Sequence, residues 1–216
     1  MTPSPQLSRD VDVRARVLQV MAALEAAGVT PIANRDLHAI AYLSNVLSPM
    51  WEVEPLEGSV LKSKHGPRST VFEQELDNCV GQGLVTVVSL EDDPESDQRL
   101  SASYRLAAQR ARPVLSVING FPDERRTRAF LDELAFAFTD IAADERDDTA
   151  LEDAAWTNPS VADNRVVDFA EFVEQARNPS FNVMQSLQRY APKGVTYSRA
   201  EKLALYVRLL RKRADG

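Results

Sequence analysis

Between Leu37 and Leu106 the chain runs through an order of segments that narrows the possible folds more than any other stretch. Leu37 to Leu47 is apolar on most sides and predicts a deeply buried helix. Ser48-Pro49 ends it, because the residue before a proline avoids helical backbone angles. Residues 49–68 read as irregular, closing on Lys62-Ser63-Lys64-His65-Gly66-Pro67, where Gly66-Pro67 signals a turn. Trp51, Val53, Leu56, Val60 and Leu61 are spaced for an extended segment with some burial. Thr70 and Glu73 stand at capping-box spacing and predict a third helix, with Phe72, Leu76, Cys79 and Val80 inward and Gly81 and Gly83 at its end. Leu84 to Leu90 is valine-rich, and Leu100 to Leu106 alternates apolar and polar residues. The two predict a hairpin around the acidic tip at 91–98. Buried helix, interruption, capped helix and hairpin is the layout of a winged helix, a module that usually binds DNA or protein and does no chemistry.

The flanks extend this picture. Residues 1–9 read as a loose tail. Val13, Val17, Val20, Met21 and Leu24 then form one helical stripe that Gly28 stops. Beyond the hairpin the pattern turns helical. A short helix is expected over 111–118, with Pro113 near its start, and a longer one after Pro122, with Phe130, Leu134, Phe138 and Ile141 on one face. Residues 143–165 read as an acidic irregular stretch. Val166, Phe169, Phe172, Val173 and Ala176 predict a helix, and Ser180 is the expected cap of another running to Tyr190. Ser198 and Glu201 form a second capping box, opening a last helix to about Lys212. The expected class is mainly α with a small β hairpin (α+β). A winged-helix-like module spans 1–110 and a helical partner-binding region spans 111–216.

Hydrophobic residues make up 44% of the 216, enough for a sizeable core. No apolar run approaches the roughly 20 residues of a membrane span, and Met1 to Asp12 has no export pattern, so a cytoplasmic protein is expected. The lone Cys79 allows no internal disulfide. With two histidines and no His/Cys cluster, no metal site is expected. Residues 144–148 are acidic but lack the spacing of a calcium loop. There is no nucleophile elbow, and the eight glycines form no phosphate loop. No catalytic residue and no cofactor is expected, and the chain reads as a non-enzyme.

Charge argues about partners. The net of −7 opposes general affinity for nucleic acid. It is unevenly placed: residues 131–180 carry a net of −10, residues 101–130 a net of +4 and residues 181–216 a net of +6. The third helix would be the DNA-reading helix of a winged helix. Its expected outward residues, Glu73, Gln74, Glu75, Asp77 and Asn78, include no cation, so it should be repelled by a duplex. Three basic places remain as candidate phosphate or partner sites: Lys62, Lys64 and Arg68 with His65; Arg125, Arg126 and Arg128; and Arg208, Arg211, Lys212 and Arg213. Pairing with the acidic 131–180 block is the plainer reading of the second, and a helix-end preference explains the third well. Trp51 and Trp156 are either core anchors or interface anchors.

Several motifs together resemble a family. These are Leu37-His38-Ala39-Ile40-Ala41-Tyr42-Leu43, the Trp51 segment, the basic lead-in to Gly66-Pro67, and Gly81-Gln82-Gly83-Leu84-Val85. In the second half they are Val167-Asp168-Phe169, Asn178-Pro179-Ser180 and Leu205-Tyr206-Val207-Arg208-Leu209-Leu210. They resemble the middle component of bacterial ABC-three-component conflict systems, which includes the small accessory subunit of Lamassu-type antiphage defence. The resemblance implies a non-catalytic scaffold that bridges an SMC- or Rad50-like ATPase and an effector, often a nuclease. It implies that the subunit restrains the effector until foreign DNA is sensed. Non-specific DNA contact inside such a complex is compatible with it. The region of Tyr42 and Gly66-Pro67 is also similar to the Panacea-type antitoxin domain. A winged-helix transcriptional regulator and an antitoxin that binds a toxin are therefore the competing expectations.

Overall fold

A computed structural model gives the arrangement of residues 5–63, 66–92, 100–159, 161 and 165–215. The first helix, α1, spans Pro5–Ala26, longer than expected. It takes in most of the expected tail, because a proline is accommodated in a first turn, where its missing N–H has no partner to lose. β1 (Ile32–Ala33), α2 (Asn34–Leu47) and a 3-10 turn (Ser48–Trp51) follow. After an inserted hairpin come α3 (Thr70–Gly81), β4 (Val85–Asp92) and β5 (Leu100–Leu106). The strands form an antiparallel sheet in the order β1-β5-β4, with Ile32 opposite Tyr104. Helix, strand, two helices and a hairpin whose second strand takes the central place is the winged-helix arrangement. Leu37, Leu43 and Leu47 of α2 are fully buried, as are Leu76 and Cys79 of α3.

The remainder is mainly helical: α4 (Ala108–Ile118), α5 (Pro122–Phe138), α6 (Arg146–Leu151), α7 (Pro179–Ser186) and α8 (Arg199–Ala214). Phe130, Leu134, Phe138 and Ile141 are all buried. α1 packs on α3 and α5, α5 on α8, and α2 on α6. One hydrophobic core therefore passes through residues on both sides of position 110.

The structure corrects several local expectations. The stretch before α3 is a hairpin of β2 (Ser59–Ser63) and β3 (Gly66–Arg68), and Val166–Asp168 adds to it as strand β6, not as a helix. Two β-branched residues in an extended register favour this, and the Phe169 amide continues it by donating to Gly58 at 2.9 Å. Of the five residues expected on that helical stripe, only Phe169 and Phe172 are buried, and short 3-10 turns carry the chain onward. α3 is capped one residue early, by the Ser69 hydroxyl accepting from the Phe72 amide, while Arg68 draws Glu73 away from the capping-box role. α7 is capped by Asn178, with Pro179 in its first turn; Ser180 is buried and used elsewhere. α4 begins at Ala108, so Pro113 lies inside it, where the lost hydrogen bond falls on an exposed face. Part of the acidic stretch folds as α6, held by Arg146 against Asp36 at 3.8 Å and over the Phe138 ring. The acidic hairpin tip at 93–99 and the pair Lys64 and His65 lie outside the described residues.

A single carboxylate ties these parts together. Asp153 is fully buried. It accepts from the hydroxyls of Tyr42 on α2 (2.8 Å), Tyr206 on α8 (2.8 Å) and Ser180 on α7 (2.9 Å), and from the Ala155 amide (2.9 Å). Burial, reinforced by the Asp153 charge, holds both tyrosine hydroxyls protonated far above their ordinary range. Asp153→Ala leaves three buried hydroxyls without their acceptor. It should lower unfolding stability by about 3–5 kcal/mol, whereas Tyr206→Phe, which removes one donor, should cost about 1–2 kcal/mol. Urea titration of both variants measures this; equal, small losses would show that the network is not the fastener described.

Candidate functional site

The surface, not a cleft, carries the candidate interactions, and the basic clusters come first. Lys62 lies on β2, and its ammonium donates to the Val161 carbonyl at 3.0 Å. Arg68 on β3 forks onto Glu73 at 2.8 and 3.3 Å. Both described cations of this cluster are thus engaged within the chain. The outward face of α3 is narrower than expected. Glu75 is buried and binds Arg14 at 2.6 Å and Asn78 at 3.0 Å, because α1 packs directly over it. Gln74 and Asp77 are exposed and Asn78 half-buried, with no cation on the helix.

The α5 cluster is held internally. Arg125 donates to the Asn119 and Gly120 carbonyls at 3.3 and 2.8 Å, satisfying the C-terminal end of α4. Arg126 reaches the Glu52 carbonyl at 3.5 Å. Arg128 pairs with Asp132 at 2.7 Å and donates to the Ala22 carbonyl of α1 at 3.2 Å. In the α8 cluster, Arg208 binds Asp140 at 2.9 Å. Arg211 binds the Asp140 carbonyl at 2.7 Å and faces Glu145 at 3.5 Å. The C-terminal basic block thus meets the acidic block inside one molecule. Lys212 and Arg213 are exposed at the end of α8. Trp156 is a core anchor, edge-on to Tyr42 with ring centroids 5.3 Å apart. Trp51 is half-buried against Phe130 at 5.1 Å.

The apolar surface was not read from the sequence. α4 buries only Ala111 completely. Val114, Val117 and Phe121 are 38, 68 and 60% exposed, forming a stripe on or just beyond that helix. On its other side lies a shallow open groove of about 310 Å³ lined by Leu106, Ala108, Leu115, Asn119, Arg112 and Arg128. Periodicity places Val114 and Val117 on a helix, but only the packing partner decides whether they face core or water. The buried polar fasteners were missed as well. Their one local signal is the turn in which Asp153 accepts from the amides two and three residues ahead.

His38 is buried against Phe72, its Nε2 without a hydrogen-bond partner. Burial pushes its pKa down to about 4, against the pull of Glu73 and with the push of Arg68. Among the described residues, no group of His, Cys, Asp and Glu side chains is placed to hold a metal ion. No helix among them is long and apolar enough to cross a membrane.

Two predictions follow from these placements. The folded chain keeps His38 neutral, while the unfolded chain binds a proton near the ordinary value of 6.5. Stability from this group is therefore full above that value and is lost as pH falls toward about 4. Relative to His38→Leu, the native chain should lose on the order of 2 kcal/mol between about pH 7 and about pH 4.5, measured by urea unfolding at each pH. A constant difference would refute a buried neutral histidine. Changing Arg125, Arg126 and Arg128 together to Ala should lower the melting midpoint by roughly 2–6 °C, because internal hydrogen bonds are lost. An unshifted midpoint, read by circular dichroism, would mean that these arginines are free for a partner. Comparisons with protein families, with curated proteins and with solved structures find no match for the chain.

Proposed function

We propose that this protein is a non-catalytic accessory subunit that acts by binding other proteins in the cytoplasm. Following the resemblance of its motifs to ABC-three-component middle components, it bridges an SMC- or Rad50-like ATPase and an effector of the nuclease class, and controls the effector's release in antiphage defence. The observation that carries the reading is how the surface is used. Lys62 and Arg68, the described cations of the cluster that leads into α3, are engaged with Val161 and Glu73. Apolar side chains meanwhile stand in water on α4 and β4. Duplex binding needs free cations around the reading helix, and protein binding needs exposed apolar area. That balance favours a protein partner over the regulator reading, and a scaffold with several exposed elements suits two partners better than the single one of an antitoxin.

Co-expression of the tagged protein with its flanking genes, followed by mass spectrometry of what co-purifies, tests this. A long coiled-coil ATPase and an effector chain should co-elute. Recovery of neither, with retention of duplex DNA whose affinity falls steeply with salt, would replace the proposal with the regulator reading. Recovery of one tight partner without an ATPase would replace it with the antitoxin reading.

A further inference from the structure

β4 is the outer strand of the β1-β5-β4 sheet, and no strand covers its far edge among the described residues. Its eight residues run Val85-Thr86-Val87-Val88-Ser89-Leu90-Glu91-Asp92. Proteins commonly guard such an edge with lysine or proline. This strand contains neither, and Val87, Val88 and Leu90 are 37, 47 and 66% exposed.

The register with β5 sets which way each residue faces. Val85, Val87, Leu90 and Asp92 lie opposite Leu106, Tyr104, Ala102 and Leu100, on the core side of the sheet. Thr86, Ser89 and Glu91 lie opposite Arg105, Ser103 and Ser101, on the outer side. Val88 is the extra residue of a bulge between Val87 and Ser89, adjacent to the outward Ser89. The two residues of a bulge oppose one partner and fall on about the same side, so Val88 faces outward with Ser89, and β4 read from either end shows the same order of inward and outward residues. A regular strand of even length does not: turned end for end and centred on itself, it sets inward residues against outward ones. The bulge removes that mismatch.

We infer that β4 pairs antiparallel with β4 of a second copy, about a two-fold axis between Val88 and Ser89, joining two three-stranded sheets into one. Val87 then lies beside Leu90 of the second copy, and Thr86 beside its Glu91. Charge selects the same arrangement. Arg105, exposed on β5 directly behind Thr86, has no ionic partner among the described residues, and neither has Glu91. Pairing brings Glu91 of the second copy two strands from Arg105, about 10 Å between backbones, which two long side chains can span. The two-fold axis makes this contact twice. Asp92 of the second copy comes to the turn where the Arg110 guanidinium lies over Gly83. A parallel pairing would instead set Glu91 and Asp92 against their own copies. This inference gives the β4 edge to a second copy and leaves the exposed side chains of α4 to the partners of the proposed function.

Sedimentation velocity of the full chain over a wide micromolar range tests it. The mass should rise toward twice that of the monomer with concentration. Leu90→Lys, at a position already exposed, should weaken the dimer by about tenfold or more. Glu91→Arg should weaken it too, by facing Arg105 with its own sign, and adding Arg105→Glu should restore it. That recovery is a readout that a misfolded variant cannot produce. A monomer at every concentration, a dimer indifferent to Leu90→Lys, or a double variant no tighter than Glu91→Arg alone would each overturn the pairing.

Discussion

Asp153 accepts hydrogen bonds from three helices' worth of hydroxyls in a site without solvent, and the arrangement of α2, α7 and α8 depends on it. A buried carboxylate costs several kcal/mol in lost hydration unless its lone pairs are filled. Here Oδ2 accepts from Tyr42, Ser180 and the Ala155 amide, and Oδ1 from Tyr206. Displacing any one helix takes its hydroxyl away from this acceptor, and displacing α8 also takes away the Tyr206 donor to Oδ1. The contact therefore penalises alternative packings more than it stabilises this one. It couples Tyr42 of the winged-helix-like portion to the C-terminal helix, alongside the β2–β6 pairing that joins residues 59–61 to 166–168.

Charge is used in the same way at the surface. The acidic and basic blocks, which in sequence look like separate partner surfaces, meet each other: Arg208 with Asp140, Arg211 with Glu145 and Arg128 with Asp132. Exposed pairs of this kind contribute little stability each. The effect of the two α8 pairs is orientation, since they bear on how α8 lies beside the end of α5, whereas Arg128–Asp132 is an i,i+4 pair within α5. They also leave fewer cations for outside partners than a count of arginines implies.

The helix that would read DNA in a winged helix is partly covered in this fold. Over α3, α1 covers Glu75 and supplies Arg14 to neutralise it. Gln74 and Asp77 stay exposed on the same helix and Asn78 half-buried, so the polar face is narrowed to an uncharged and an acidic residue with no cation. Exposed apolar side chains lie elsewhere, among them those on α4 and along β4.

Much of the fold was legible in the amino-acid order. Apolar spacing identified α2, α3 and α5, the alternation from Leu100 to Leu106 identified β5, and the Ser198–Glu201 capping box marked the start of α8. These are local matters: each depends on a few neighbouring residues and their preferred backbone angles. Pairings distant in sequence were not legible. Val166-Val167-Asp168 has the spacing of a helix start and becomes a strand because β2 lies ready beside it. Asp153 looks like one more acid in an acidic stretch until three hydroxyls converge on it. Arg125, Arg126 and Arg128 stand in sequence as a basic cluster, and only the fold shows that the end of α4, the Glu52 carbonyl and α1 accept hydrogen bonds from them. Periodicity says which side chains share a face; what that face meets depends on where the rest of the chain packs, and that is set by burial and by the pairing of polar groups across the whole molecule.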